Sequence, residues 1–344
     1  MKDLKGLIIG CGSIGERHIF NLKKLGIENI TVFDFSKKRL QLIAKKYKIK
    51  SFSNINSALS YEPNFSIIST FPQSHILFAI KCIENKSHVF IEKPISSSIF
   101  SVQKMLNLAK KKRVNVSVGY NLRFEKGLGQ MKKFLKTNKI GSPLSIHAEW
   151  GQNIRHWKPG TDYKKHYVLK KDGGIILDDS HEYDYLRWLL DDEPYSIYCQ
   201  TRKASSFKTE SESLATLSIK FRKGALATLI IDYVRPFYKR QCNIVGEQGS
   251  LTWDFIPQKN IWKNYTTTAK SNISFALIGQ KNIKKITNVI TVNDMYLKEM
   301  KNFLNSIIHK EKLRVDGVDG LKTLKIGLAA KESAIKNKVI KINY

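Results

Sequence analysis

In the first 120 positions the apolar residues fall in short runs separated by amphipathic stretches. Runs at 7–9, 30–33, 65–69 and 88–91 have strand length, with a strand-like piece at 50–52 and a closing strand at 114–118, and a run without polar alternation belongs to a strand buried on both faces. Between the first two runs, Ile14, Ile19, Leu22 and Leu25 recur at helical spacing, and Gly26 is placed to end the helix. The same reasoning predicts a helix from Ser36, a short one over 56–60, one capped by Ser74 through Ile83, and one capped among Ser96, Ser97 and Ser98 to Lys112. Strand and helix alternate throughout, which predicts a parallel sheet covered on both faces.

The rhythm changes after Tyr120. A helix over 125–137 precedes Gly141-Ser142-Pro143, and period-two segments follow at 145–152, 195–201, 214–221, 225–233 and 241–245. The stretches 221–224 (FRKG) and 246–249 (GEQG) read as hairpin turns. A largely antiparallel open sheet with helices on one face is therefore expected. Residues 257–293 show no clear period and carry no assignment, and helices over 295–308 and 318–336 end the pattern. A length of 344 residues suits two domains, drawn here at 1–120 and 121–344.

Composition narrows the class. No apolar run approaches the roughly twenty residues that span a bilayer, and the start lacks the apolar core of a secretory signal. A cytoplasmic protein with no membrane partner is expected. Cys11, Cys82, Cys199 and Cys242 are scattered without C-x-x-C spacing, so they read as reduced thiols and no metal site is expected. The net charge of +30 raises nucleic acid as a partner. Yet the lysines are spread in pairs such as Lys23-Lys24, Lys45-Lys46 and Lys132-Lys133, only 110–113 forms a block, and no recognition helix or aromatic stacking platform accompanies them. A lysine-biased solvated surface is the reading taken, with no nucleic-acid partner and, as a secondary reading, a preference for an anionic substrate.

The chemistry begins at the first strand-to-helix turn, where Gly10, Gly12 and Gly15 stand in the spacing G-x-G-x-x-G around Ser13 and Ile14. In that pattern the first glycine permits the turn, the second lets backbone approach a diphosphate, and the third lets the helix pack on the strand. The anion then rests on a helix N-terminus. Asp34 closes the second strand about twenty residues past the last glycine, where a carboxylate binds ribose hydroxyls and repels a 2′-phosphate. NAD is therefore the expected cofactor, and Lys37, Lys38 and Arg39 keep NADP as an alternative. Ser69, Thr70 and His75, Glu92 and Gly119 follow at or just beyond the ends of later strands, the ligand edge of such a sheet.

Three further stretches carry reactive side chains. Glu92-Lys93-Pro94 sits at a strand tip, where a cis peptide before Pro94 would aim Lys93. In 173–184 (GGIILDDSHEYD), a continuous helix would put Asp178, His181 and Asp184 on one face, an arrangement suited to general acid–base work. The segment 150–167 (WGQNIRHWKPGTDYKKHY) is dense in aromatic and hydrogen-bonding groups that suit a sugar, although a polar loop bordering the sheet explains it almost as well.

GCGSIG with Asp34, then EKP, GYNLRF at 119–124 and GGIILDDSHEYDYLRWL together resemble the Gfo/Idh/MocA family, typified by glucose–fructose oxidoreductase and inositol dehydrogenase. The resemblance implies an α/β Rossmann domain followed by an α+β domain with a largely antiparallel open sheet that mediates homodimers or homotetramers. It implies NAD(P)-dependent oxidation or reduction of a sugar or cyclitol hydroxyl. Lys93 then resembles the lysine that hydrogen-bonds the reacting oxygen, His181 the proton-transferring histidine, and Asp178 the acid before it, here three residues away where many members have four. Asp184 resembles a substrate-contacting acid, Asn121 and Trp157 resemble residues near the nicotinamide, and Arg155, Asp162 and Tyr163 are further substrate candidates. The expectation from both lines is that Lys93 and His181 reach one substrate atom. A redox-silent relative, or one using NAD as a relay in elimination or hydrolysis, is the alternative.

Overall fold

A computed structural model describes residues 3–157, 162–171, 173–207, 209–258 and 265–344. Contacts divide the chain into two compact units, Met1–Tyr120 with Tyr296–Leu324, and Asn121–Met295 with Lys325–Tyr344.

In the first unit the strands are β1 (Gly6–Ile9), β2 (Ile30–Phe33), β3 (Lys50–Phe52), β4 (Phe65–Ile68), β5 (His88–Ile91) and β6 (Val116–Val118). The helices between them are α1 (Ser13–Lys24), α2 (Lys37–Tyr47), α3 (Ile55–Leu59), α4 (Pro72–Glu84) and α5 (Val102–Lys112). The strands form one parallel sheet in the order β3-β2-β1-β4-β5-β6. All four residues of β1, β2 and β4 are buried, as unbroken apolar runs between two helical layers must be. Two helix starts differ from the sequence reading. α4 opens at Pro72, whose fixed φ suits the first helical position, while Ser74 bonds Thr70 and the Phe71 carbonyl instead. α5 opens only after Ser101, held at φ 64°, so the serines at 96–98 do not cap it.

The segment 296–324, assigned by pattern to the second domain, folds with the first sheet. Its Phe303 is fully buried with ring contacts of 6.0 Å to Phe65 and 5.7 Å to Phe90, in one core with Ile8, Ile19 and Leu22. That apolar surface must be covered, and an amphipathic helix supplied later in the chain covers it.

In the second unit α6 (Lys126–Lys136), with Glu125 as N-cap, precedes β7 (Pro143–Gly151), α7 (Ile175–Asp178) and α8 (His181–Leu190). β8 (Pro194–Arg202), β9 (Leu214–Phe221), β10 (Leu226–Asp232), β11 (Lys239–Gly246), β12 (Gly249–Pro257), β13 (Thr268–Leu277) and β14 (Lys284–Thr291) follow. α9 (Asn293–Ile308), from Tyr296 on, and the first part of α10 (Gly317–Lys336) then belong to the first unit, and the rest of α10 with β15 (Ile340–Lys341) to the second. The sheet runs β14-β13-β12-β11-β7-β10-β9-β8-β15, antiparallel except where β10 lies parallel to β7. Burial alternates along β9 and β11, the mark of a sheet covered on one face. α6 lies on that face: a Cβ at Gly127 would come within 2.8 Å of the Trp253 ring. β13 and β14 occupy the stretch that shows no period. Among the described residues no helix is long and apolar enough to cross a membrane.

Candidate functional site

In the first unit, β1 delivers the chain to Gly10 at φ +94°, and α1 starts three residues later without a side-chain cap. Gly15 is demanded by packing, because a Cβ there would lie 1.9 Å from the Gly10 carbonyl oxygen and 2.7 Å from Ser69 Oγ. Gly12 differs. Its φ of −68° suits any residue, and a Cβ there would meet nothing within 4 Å. Among the described residues no protein group accounts for a glycine at that point, whereas a diphosphate approaching the backbone does. The chain's own residues therefore fit a dinucleotide at this turn.

Asp34 stands beside it, nearly buried. Its two carboxylate oxygens accept from the backbone N–H groups of Cys11 and Ser36, each at 2.7 Å, and from Arg39 at 3.1 Å. A fixed carboxylate here disfavours a 2′-phosphate, although Arg39 lies against it. Ser69 donates to the Gly10 carbonyl at 2.7 Å, securing the turn to β4. His75 is buried between the Thr70 and Pro94 carbonyls, at 3.1 and 3.0 Å, and burial lowers its pKa below the ordinary histidine value. As a neutral imidazole with one N–H it donates to one of these two carbonyls, packed between the tips of two strands. The Lys93–Pro94 peptide is cis, and Lys93 is half-buried at the end of β5.

In the second unit the expected continuous helix over 173–190 is interrupted. α7 ends at Asp178, Asp179 leaves the helical region at φ −99° and ψ 49°, and α8 starts afresh at His181. Asp178, His181 and Asp184 thus do not share one helical face. Asp178 accepts from the hydroxyls of Tyr167 at 2.7 Å and Tyr233 at 2.9 Å. Burial, reinforced by the charge of Asp178, pushes the Tyr233 phenol well above its usual pKa, so it remains a donor. Asp184 lies on α8, and both its oxygens take the guanidinium of Arg123, at 2.7 and 2.9 Å.

The break between the helices has a cause. Asp179 and Glu182, on either side of Ser180-His181, both bind the buried Arg240 from β11, at 2.9 and 2.8 Å. Gly174, at φ +105°, leaves room for Glu212, whose carboxylate a Cβ would strike and whose backbone carbonyl takes the Ile175 N–H. Trp157 packs edge-on to Tyr233 at 5.2 Å and Trp150 at 6.0 Å, which places part of the aromatic stretch beside the Asp178 tyrosines. Asn121 is buried in the turn before α6. Arg155 lies over Phe207 and Tyr163 and donates to the Ser206 carbonyl, while Asp162 caps the turn at Tyr163. Residues 158–161 of that stretch lie outside the described residues.

Sequence reasoning missed His18, Arg123, Tyr233 and Arg240. The first had a signal, a histidine on the inward face of α1. The others come from turns and strands far along the chain from the acids they hold.

Residues 4–120 match an oxidoreductase family described as having an NAD-binding Rossmann fold, and residues 132–342 match that family's C-terminal alpha/beta domain. The chain is 25% identical over 351 residues to the myo-inositol 2-dehydrogenase of Thermotoga maritima, with 97% of each covered. It is 24% identical over 335 residues to the scyllo-inositol 2-dehydrogenase (NAD(+)) of Bacillus subtilis, covering 95% of this chain and 92% of that one. In fold it is similar to the WlbA dehydrogenase from Bordetella pertussis, solved in complex with NADH and UDP-GlcNAcA, at a TM-score of 0.81, 18% identity and 99% coverage of both chains.

Proposed function

The chain belongs to the Gfo/Idh/MocA family of oxidoreductases, with an NAD-binding Rossmann fold, and from that premise we propose that it is a dehydrogenase acting on a secondary hydroxyl of a cyclitol or sugar. The observation that carries this reading is the helix break at which His181 stands: it heads α8 three residues past Asp178, whose oxygens accept from two phenols, and is flanked in sequence by Asp179 and Glu182, both fixed by one guanidinium. Such an arrangement serves proton exchange at a defined point. NAD, when bound, supplies the hydride acceptor. His181 takes the hydroxyl proton in oxidation and returns it in reduction. Lys93 Nζ donates to the same oxygen and stabilises its developing negative charge, a role of a few kcal/mol. Asp178 orients the reacting hydroxyl, and Asp34 accepts from the ribose. Arg155, Asp162, Tyr163 and Asp184 are the remaining substrate candidates, and Asn121 and Trp157 the nicotinamide ones. The inositol-acting relatives support the cyclitol, and the outward apolar side chains Leu226 and Val245, on the two strands that flank β7, support assembly into a homodimer or homotetramer.

The test is reduction of NAD on a panel of inositols and sugars, followed at the nicotinamide absorbance band. His181→Ala should lower turnover by about 10² to 10⁴ while sparing NAD binding. A variant with near-normal turnover removes His181 from the mechanism, and no reduction on any substrate turns the reading toward a redox relay.

A further inference from the structure

His18 lies three residues past Gly15 on the inward face of α1 and is fully buried. Its Nε2 is 2.7 Å from Glu92 Oε1. A carboxylate only accepts, so Nε2 carries the hydrogen. The other carboxylate oxygen of Glu92 takes the backbone N–H of Lys93 at 3.3 Å. A third side is closed by Gly119, where a Cβ would lie 3.0 Å from Glu92 Oε2. The Phe90 ring, edge-on at 5.2 Å, fixes the imidazole plane. One carboxylate is thus gripped by α1, by the end of β6 and by the backbone of Lys93 itself.

We propose that His18 is a positioning residue for Lys93. It holds Glu92, and Glu92 holds the backbone from which Lys93 extends. α1 also presents the dinucleotide turn, so a single rigid helix sets both where the diphosphate rests and where the Lys93 amine stands relative to it. A buried polar pair that served packing alone would have no need of Lys93's N–H. The inference rests on the dehydrogenase reading, which puts Lys93 beside the nicotinamide.

Acetylation of Lys93 by an N-hydroxysuccinimide ester, counted by peptide mass spectrometry against the exposed Lys112, tests it without a substrate. In the wild-type chain, saturating NAD should slow Lys93 labelling about fivefold or more. In His18→Leu, NAD affinity by calorimetry should stay within about threefold while most of that protection is lost. His18→Gln, whose amide nitrogen replaces Nε2, should restore protection, and Glu92→Gln should lose it even if the leucine variant folds poorly. Full protection in His18→Leu and Glu92→Gln, with only a lower melting temperature, would make the pair a packing staple and overturn the proposal. Absence of protection in the wild type would overturn it together with the placement of Lys93. Protection without turnover on any polyol would sink the reaction class alone and leave His18's role standing.

Discussion

At the scale of single residues, Gly12 and Gly15 look alike in the sequence and answer to different constraints. Gly15 has protein 1.9 Å from where its Cβ would be, whereas Gly12 faces open space. Gly12→Val should therefore leave the melting temperature of the protein without NAD nearly unchanged, yet weaken NAD binding by about a hundredfold, roughly 2.7 kcal/mol, in a calorimetric titration. Gly15→Val should fail to yield folded protein. Equal destabilisation by both would show that Gly12 is a folding glycine after all. Residue identities at this turn were legible because each glycine has a local reason. The acids near His181 were not, since their partners are remote: Tyr167 is 11 residues from Asp178, Tyr233 is 55 away, and Arg123 is 61 from Asp184. Spacing predicts which side chains share a face only while the helix continues.

At the scale of elements, the break between α7 and α8 is held by Arg240, which satisfies Asp179 and Glu182 together. The three charges are nearly withdrawn from water, so removing the cation strands two buried carboxylates. Arg240→Met should cost about 3–5 kcal/mol, read as a lower urea midpoint. Arg240→Lys should recover only part of it, because an ammonium lacks the fork that spans two acids. A loss under about 1 kcal/mol would mean that the acids reach water or other partners. The parallel sheet was readable from its unbroken apolar runs. β13 and β14 were not, because inward positions of β13 include Ala269 and Ser271, and Ser271 is kept there to accept the Trp253 indole N–H at 3.0 Å. β14 opens on exposed lysines and buries Asn288. Alternation vanishes from a sequence when the buried face is built from small and polar groups that satisfy one another.

At the scale of the whole molecule, all four thiols are free and buried. Burial pushes Cys11, Cys82 and Cys199 up to about 12, and Cys242 higher still. At pH 8 the reactive thiolate is then suppressed about a thousandfold relative to an ordinary cysteine. Iodoacetamide should leave the native protein unmodified and label it only as it opens. Cys11 and Cys82 report on the first unit and Cys199 and Cys242 on the second, so pulsed alkylation in rising urea separates their stabilities. Rapid labelling of any of the four in native buffer would contradict the burial described. The return of Phe303 to the first sheet reaches furthest. A ribosome that has finished residue 120 has made every strand of that sheet but not the lid for Phe65 and Phe90. The nascent nucleotide-binding half must wait, greasy side open, for nearly two hundred more codons before its own interior is complete.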